Sequence, residues 1–216
     1  MPQIFHRSTN TIAKVSIFGG VLFVGLFFWV YSTLLASGYA SGQGLFKSQP
    51  VPFSHQHHVA GLGIDCRYCH TSVEKSATAG VPPTQTCMNC HRYIWTNAKL
   101  LEPVRQSLAN NTPIRWVKVH DLPDYVYFDH SIHVAKGMGC ATCHGRVDEM
   151  PLIRQEATLQ MSWCVDCHRN PQKNIRPKSE VFNMAWVRPA DFDAEAAHLM
   201  KEYDVKSLTS CSTCHR

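Results

Sequence analysis

No cysteine of this 216-residue chain stands alone: all ten recur in pairs of one fixed spacing. A disulfide scaffold, which scatters its cysteines, is thereby excluded. No alternation of apolar and polar residues runs far enough to mark a convincing strand, so a sheet-based core is not expected. No basic run stands behind the formal net charge of +5, and nucleic-acid binding is not implied. Finally, there is no charged residue between positions 15 and 46, which sets that stretch apart as a membrane candidate.

What the chain has instead is CxxCH, five times over: Cys66, Cys69 and His70; Cys87, Cys90 and His91; Cys140, Cys143 and His144; Cys164, Cys167 and His168; Cys211, Cys214 and His215. C-x-x-C-H is the attachment motif of c-type haem. The two thiols add across the porphyrin vinyl groups, and the adjacent imidazole lies under the iron as proximal ligand. A zinc ribbon would pair CxxC units into four-ligand sites, and an odd number of units does not pair. A thioredoxin-like site uses a single CxxC. The expected cofactors are therefore five covalently bound haem c groups with their iron. Their ten propionates bring the formal +5 to roughly −5 in the ferrous protein and near zero when every iron is ferric, once each cofactor's own charge is counted.

Within the uncharged stretch, SIFGGVLFVGLFFWVYSTLL at 16–35 has about the twenty residues needed to cross a bilayer as a helix. Trp29 and Tyr31 sit toward its outer end as interfacial aromatics do, and Arg7 and Lys14 precede it. The positive-inside rule then makes 1–14 a cytoplasmic N-terminus and 15–36 a single-pass anchor in a bacterial inner membrane. Everything beyond belongs on the periplasmic (outer) side, where haem is attached. A cleaved signal peptide is the alternative, with Ala36, Ser37 and Gly38 as a faint cleavage site, but the apolar run exceeds the usual h-region. Residues 37–52 read as a Gly/Ser/Pro-containing linker. The haem-bearing domain follows at 53–216, with roughly 33 residues per motif. So little chain leaves the porphyrin faces as the main buried apolar surface. The fold class expected is a multihaem cytochrome c, mostly irregular with short α-helices around five haems, plus the transmembrane helix. Short helices are expected at several motifs, and helical spacing of Phe192, Ala196, Leu199, Met200 and Tyr203 marks another over 191–203.

The domain contains a repeat. FSHQHHVAGLGIDCRYCH at 53–70 and FDHSIHVAKGMGCATCH at 128–144 share F-x-H-x-x-H-V-A, then a glycine-containing spacer, then a haem motif. A second motif follows sixteen residues later in one unit (53–92) and nineteen later in the other (128–169), leaving 170–216 for the fifth. Each unit thus has two spare histidines for two haems. Histidines at i and i+3 lie on one helix face, so His55 and His58, like His130 and His133, are candidate distal ligands to adjacent haems. A histidine in the sixth position makes an electron-transfer site, whereas methionine there raises the potential. For the fifth haem two candidates stay open, His120 and Met184, with Met161 and Met200 weaker. His6 precedes the anchor, His57 points to the opposite face from its neighbours, and His198 lies on the amphipathic helix.

The F-x-H-x-x-H phrase followed by CxxCH resembles the class III multihaem cytochromes c. The whole chain, through its anchor, VPFSHQHHV, WVKVHDLPDYVYFDHSIHV, GCATCHG, LQMSWCVDCHRNP and CSTCHR, is similar to the membrane-anchored pentahaem cytochromes of Alternative Complex III. That resemblance implies a non-catalytic electron-transfer subunit of a respiratory quinol:acceptor oxidoreductase. It also implies partners: quinol-binding polytopic membrane subunits, an iron–sulfur subunit and a monohaem cytochrome c. Related cytochromes serve quinone-reducing complexes with a similar membrane module. A stand-alone quinol dehydrogenase of the small tetrahaem type would place a methionine just after the first motif, where this chain has Thr71 and Ser72. A multihaem reductase of small oxyanions would often show CxxCK, which does not occur.

Overall fold

The computed structural model describes residues 4–215; positions 1–3 of the expected cytoplasmic segment and position 216 of the expected haem-bearing domain lie outside the described residues. The chain forms two compact units, Met1–Gln43 and Gly44–Arg216.

The first unit is a long helix, α1 (Ser8–Ala36), and one further turn, α2 (Gly38–Ser41). α1 has 29 residues with a mean hydropathy of 2.0 in its most apolar window, and no residue of it is buried. At 1.5 Å per residue it is about 44 Å long, against roughly 30 Å of hydrocarbon in a bilayer. It begins at Ser8 rather than at position 15, because the polar residues ahead of the apolar stretch continue the same helix. The hydroxyls of Ser32 and Thr33 donate to the Trp29 and Val30 carbonyls at 2.9 and 2.8 Å, so both are satisfied within the helix, as an apolar medium requires.

The second unit is built from short helices: α3 (Cys66–Cys69), α4 (Thr84–His91), α5 (Glu102–Ala109), α6 (His130–Ala135), α7 (Cys140–His144), α8 (Met161–Arg169), α9 (Asp193–Glu202) and α10 (Cys211–Cys214). A π-helical turn covers Gln56–Gly61. Among the described residues there is no strand, only three isolated antiparallel bridges: Phe46 with Arg154, Val126 with His215, and Met138 with Ile175. Residues 44–49 belong to this unit because they are fastened to it. Gly44 N donates to Gln155 O at 2.7 Å, and the Gln49 amide exchanges two hydrogen bonds with the Val117 backbone at 2.9 and 3.0 Å.

Apolar packing is thin. Among the described residues one distinct cluster joins Ile175 to Phe192, Ala196 and Leu199, with Met138, Trp186, Met200, Tyr203 and Val205 around it. This is the apolar face of α9, as the helical spacing at 191–203 anticipates. Elsewhere, helix ends are held by local side-chain bonds. Asp65 Oδ1 accepts from Arg67 N at 2.8 Å at the start of α3, and Asp129 Oδ1 accepts from Ser131 N at 2.8 Å at the start of α6, each meeting a donor of the helix's first turn. α5 buttresses α4 through Thr84 Oγ1 and Ser107 Oγ, 2.6 Å apart, with Val104 buried beneath.

Candidate functional site

All five CxxCH motifs lie on or at the end of a helix: α3, α4, α7, α8 and α10. The i, i+3 spacing puts both sulfurs of a motif on one helical face with the histidine just beyond. Cys90 and Cys211 are exposed while the other eight cysteines are half-buried. Burial pushes the Cys143 thiol up to about 12 and, with Cys66 nearby, the Cys140 thiol up to about 11.

The two F-x-H-x-x-H copies adopt the same side-chain arrangement. Phe53 stacks on His58 (ring centroids 4.3 Å, 24° between planes) and meets His55 edge-on (4.9 Å, 87°). Phe128 stacks on His133 (4.5 Å, 27°) and meets His130 edge-on (4.7 Å, 89°). The residue after the phenylalanine contributes its carbonyl: Ser54 O accepts from His58 Nδ1 at 2.8 Å, and Asp129 O from His133 Nδ1 at 2.6 Å. The backbones differ, since the second copy is α-helical and the first is the π-helical turn. The first copy has one more residue before its motif, and a π turn absorbs an extra residue without changing the face presented. The phenylalanines and the carbonyls escape sequence reading as functional parts. The only hint is that the aromatic recurs at the same place in both copies.

Three histidine pairs face one another at nearly one separation. Ring centroids are 6.3 Å apart for His58 and His91, 6.3 Å for His130 and His144, and 6.1 Å for His133 and His168. Two imidazoles on opposite sides of one metal, with bonds of about 2.0 Å, would have centroids roughly 6.3 Å apart. His55 adjoins His70; burial, then the charges of His70 and His58, bring it down to about 4. His144 is driven to about 3, by burial first and then by His120 and His130. Neutral imidazole is the form that ligates metal.

The tautomers fit as well. Nδ1 faces a backbone carbonyl in His70 (Gly80 O, 2.7 Å), His130 (Ala77 O, 2.8 Å), His168 (Leu208 O, 2.9 Å) and His215 (Tyr125 O, 3.1 Å). His91 Nδ1 lies 3.4 Å from Ile94 O. A carbonyl only accepts, so Nδ1 carries the proton and Nε2 keeps its lone pair. Among the described residues no group of three or more His, Cys, Asp or Glu converges on one point. The histidines come in twos, which suits a macrocycle that supplies the remaining ligands.

The contacts that fix the candidates for the fifth motif are made around the third. His120 packs against His144, with centroids 4.3 Å apart and its Nε2 3.3 Å from His144 Nδ1. Met184 is buried in a segment tied to the third motif, where Val181 O accepts from Cys140 N at 3.0 Å and Asn183 O accepts from Arg176 at 3.3 Å. His215 is instead held by the 125–127 segment, whose Tyr127 N donates to Cys214 O at 2.8 Å. Met161 is exposed, Met200 packs on the α9 cluster, and His198 pairs with Glu202 at 3.6 Å on the surface. His57 turns away toward Trp95, 5.3 Å between rings.

These contacts also set the motifs in order. Asn89 of the second donates to the Tyr68 hydroxyl of the first at 3.0 Å. The first meets the third through the 71–80 loop, which holds both His70 and His130. Phe128 joins the third to the fourth through His130 and His133, and Leu208 joins the fourth to the fifth. The order is second, first, third, fourth, fifth, and the two exposed cysteines belong to its ends.

Residues 126–216 match the family described as cytochrome c7 and related cytochrome c. The chain carries a cytochrome c7-like multihaem domain. Over 145 residues, covering 57% of this chain and 69% of the relative, it is 28% identical to a protein of Nitratidesulfovibrio vulgaris named menaquinone reductase, multiheme cytochrome c subunit. Haem c bound covalently at CxxCH follows from that likeness.

Proposed function

We propose that the chain is the membrane-anchored pentahaem electron-transfer subunit of a quinone-linked respiratory complex, passing electrons without itself making or breaking substrate bonds. The observation that carries this reading is the set of three facing histidine pairs at 6.1–6.3 Å, each spanning a distal candidate and a motif histidine. On this reading His55, His58, His130 and His133 stand opposite His70, His91, His144 and His168, and the cysteines of all five motifs hold the cofactors. Each bound haem c supplies a one-electron ferric/ferrous couple.

The chain's own residues do the rest. Carbonyls of Ser54, Gly80, Ala77, Asp129, Leu208 and Tyr125 hold the protons on Nδ1, while Phe53 and Phe128 keep paired imidazoles from rotating. His120 accepts from His144 Nδ1 and so supports the third centre, which leaves Met184 to be tested as the fifth centre's methionine. α1 anchors the chain with its N-terminus in the cytoplasm and the haem domain on the periplasmic side.

The residues shared with the Alternative Complex III cytochromes favour electrons arriving from quinol-binding polytopic subunits and an iron–sulfur subunit, and leaving to a monohaem cytochrome c. The name of the Nitratidesulfovibrio relative favours a second reading, in which electrons flow toward quinone. Purification from detergent-solubilised membranes, with haem-stained gels and subunit identification, tests the assembly. Intact mass tests the cofactor count, with five haem additions expected and fewer refuting the pentahaem reading. Reduction of the purified complex by quinol, as against oxidation of the reduced complex by quinone, decides the direction.

A further inference from the structure

Beneath the third motif lies a cation that the ligand scheme does not use. Arg176 is 5% exposed, and its side chain folds over the residue that precedes Cys140. A Cβ built on Gly139 would fall 2.1 Å from Arg176 Cζ and 2.2 Å from Nε, so only glycine lets the guanidinium approach this closely. Arg176 Nη2 donates to the hydroxyl of Thr142, between the two cysteines, at 3.2 Å. Nη1 donates to Asn183 O at 3.3 Å, and Cζ sits 4.5 Å from the centre of the Trp186 ring. Nε is buried with no hydrogen-bond partner.

The backbone is fixed too. Arg176 N donates to Gly137 O at 3.0 Å, beside the bridge between Met138 and Ile175. Gly137 has φ +74° and no room for a Cβ, which would meet Arg176 O at 2.6 Å. The third motif is therefore wrapped on a preplaced guanidinium.

Among the described residues no carboxylate lies within ion-pair distance of Arg176. Burial lowers its affinity for the proton, and the charge of Glu180 opposes that. An arginine remains charged through such a shift. A buried, unpaired charge is costly, and it is retained here at the middle of the five motifs.

We infer that Arg176 is a potential-tuning residue for the haem at Cys140, Cys143 and His144, raising that centre's reduction potential above what its two histidines alone would set. The inference rests on the haem reading of that motif. Adding one electron lowers the charge of the centre by one, and a fixed positive charge nearby favours that lower-charge state. Burial keeps water and salt from screening the effect.

The test is potentiometric titration of the purified full-length holoprotein, followed optically and by low-temperature EPR, for wild type, Arg176→Gln, Arg176→Lys and Glu180→Gln. Arg176→Gln should move one component to lower potential, with at least a tenfold change in its ferric/ferrous ratio at fixed ambient potential (59 mV for one electron). Arg176→Lys, which keeps the charge, should restore most of it. Glu180→Gln leaves the buried residue in place and should move the same component upward. Equal shifts in the Gln and Lys variants, or five unmoved components in Arg176→Gln and Glu180→Gln, would overturn the inference. Intact mass of each variant separates this from the underlying reading: an absent haem adduct at the third motif refutes the latter, whereas a full complement with an unmoved potential refutes only the role of Arg176.

Discussion

Replacing Phe128 with alanine should loosen two centres at once. The ring touches His130 at 4.7 Å edge-on and His133 at 4.5 Å stacked, and each such aromatic contact is worth about 0.5–1.5 kcal/mol beyond the area it buries. His130 pairs with His144 and His133 with His168, so the loss falls on two different proposed distal ligands, one contact each. At tenfold per 1.4 kcal/mol, each distal imidazole should hold its position about 2- to 12-fold less well. Carbon monoxide competes for that position on ferrous haem, so its apparent affinity at two centres should rise by the same factor, measured by titrating the dithionite-reduced protein. Phe53→Ala should act in the same way on the other two proposed distal histidines, His55 and His58, and leave the first pair alone. If Phe128→Ala leaves carbon monoxide affinity and the low-spin EPR signals unchanged, the phenylalanines are not positioning imidazoles and the argument for paired ligands loses its support.

Gly139→Ala should be poorly tolerated: its methyl would sit 2.1 Å from Arg176 Cζ, where carbon contacts need about 3.5–4.0 Å. Overpacking of this kind costs roughly 1–3 kcal/mol, which predicts a thermal midpoint lower by about 2–12 °C; an unchanged melt would refute the packing seen there. His120→Ala removes the acceptor 3.3 Å from His144 Nδ1, which should raise one potential and leave every haem low-spin, because a less polarised proximal imidazole is a weaker base. A new high-spin ferric signal would instead make His120 a direct ligand. A chain shortened to 44–216, the second compact unit, and exported by a cleavable secretion signal in place of α1, should leave the membrane fraction with its haem content intact; retention in carbonate-washed membranes would refute α1 as the anchor.

The parts of this molecule that depend on neighbours in sequence are legible without coordinates. CxxCH declares its chemistry because the two thiols and the imidazole must lie within one turn. Phe192, Ala196, Leu199 and their partners reveal α9 because one face of it is buried. The repeated histidine pairs stand out because their spacing to a motif is nearly constant. What escapes depends on contacts between distant positions. Nothing in the segment around His120 says that it meets a histidine 24 residues on. Arg176 looks like any surface arginine until Gly139 and Trp186 close over it. The order of the motifs rests on backbone carbonyls at Ala77, Gly80 and Leu208, and every residue has a carbonyl, so no side-chain pattern can mark them. The π-helical turn is legible only afterward, as the reason one spacer can be longer than its twin.

The loop at 71–80 bears on how far the molecule can be divided. Ser72 Oγ donates to the Thr78 and Ala79 carbonyls at 2.8 and 2.9 Å, which ties the loop into a closed knot. From that knot Gly80 O steadies a histidine of the first half and Ala77 O one of the second. Cut between its halves, the chain would leave His130 reaching for an acceptor on the other piece. The tandem copies are therefore no longer two modules side by side, and the smallest fragment able to keep both in working order is the pair.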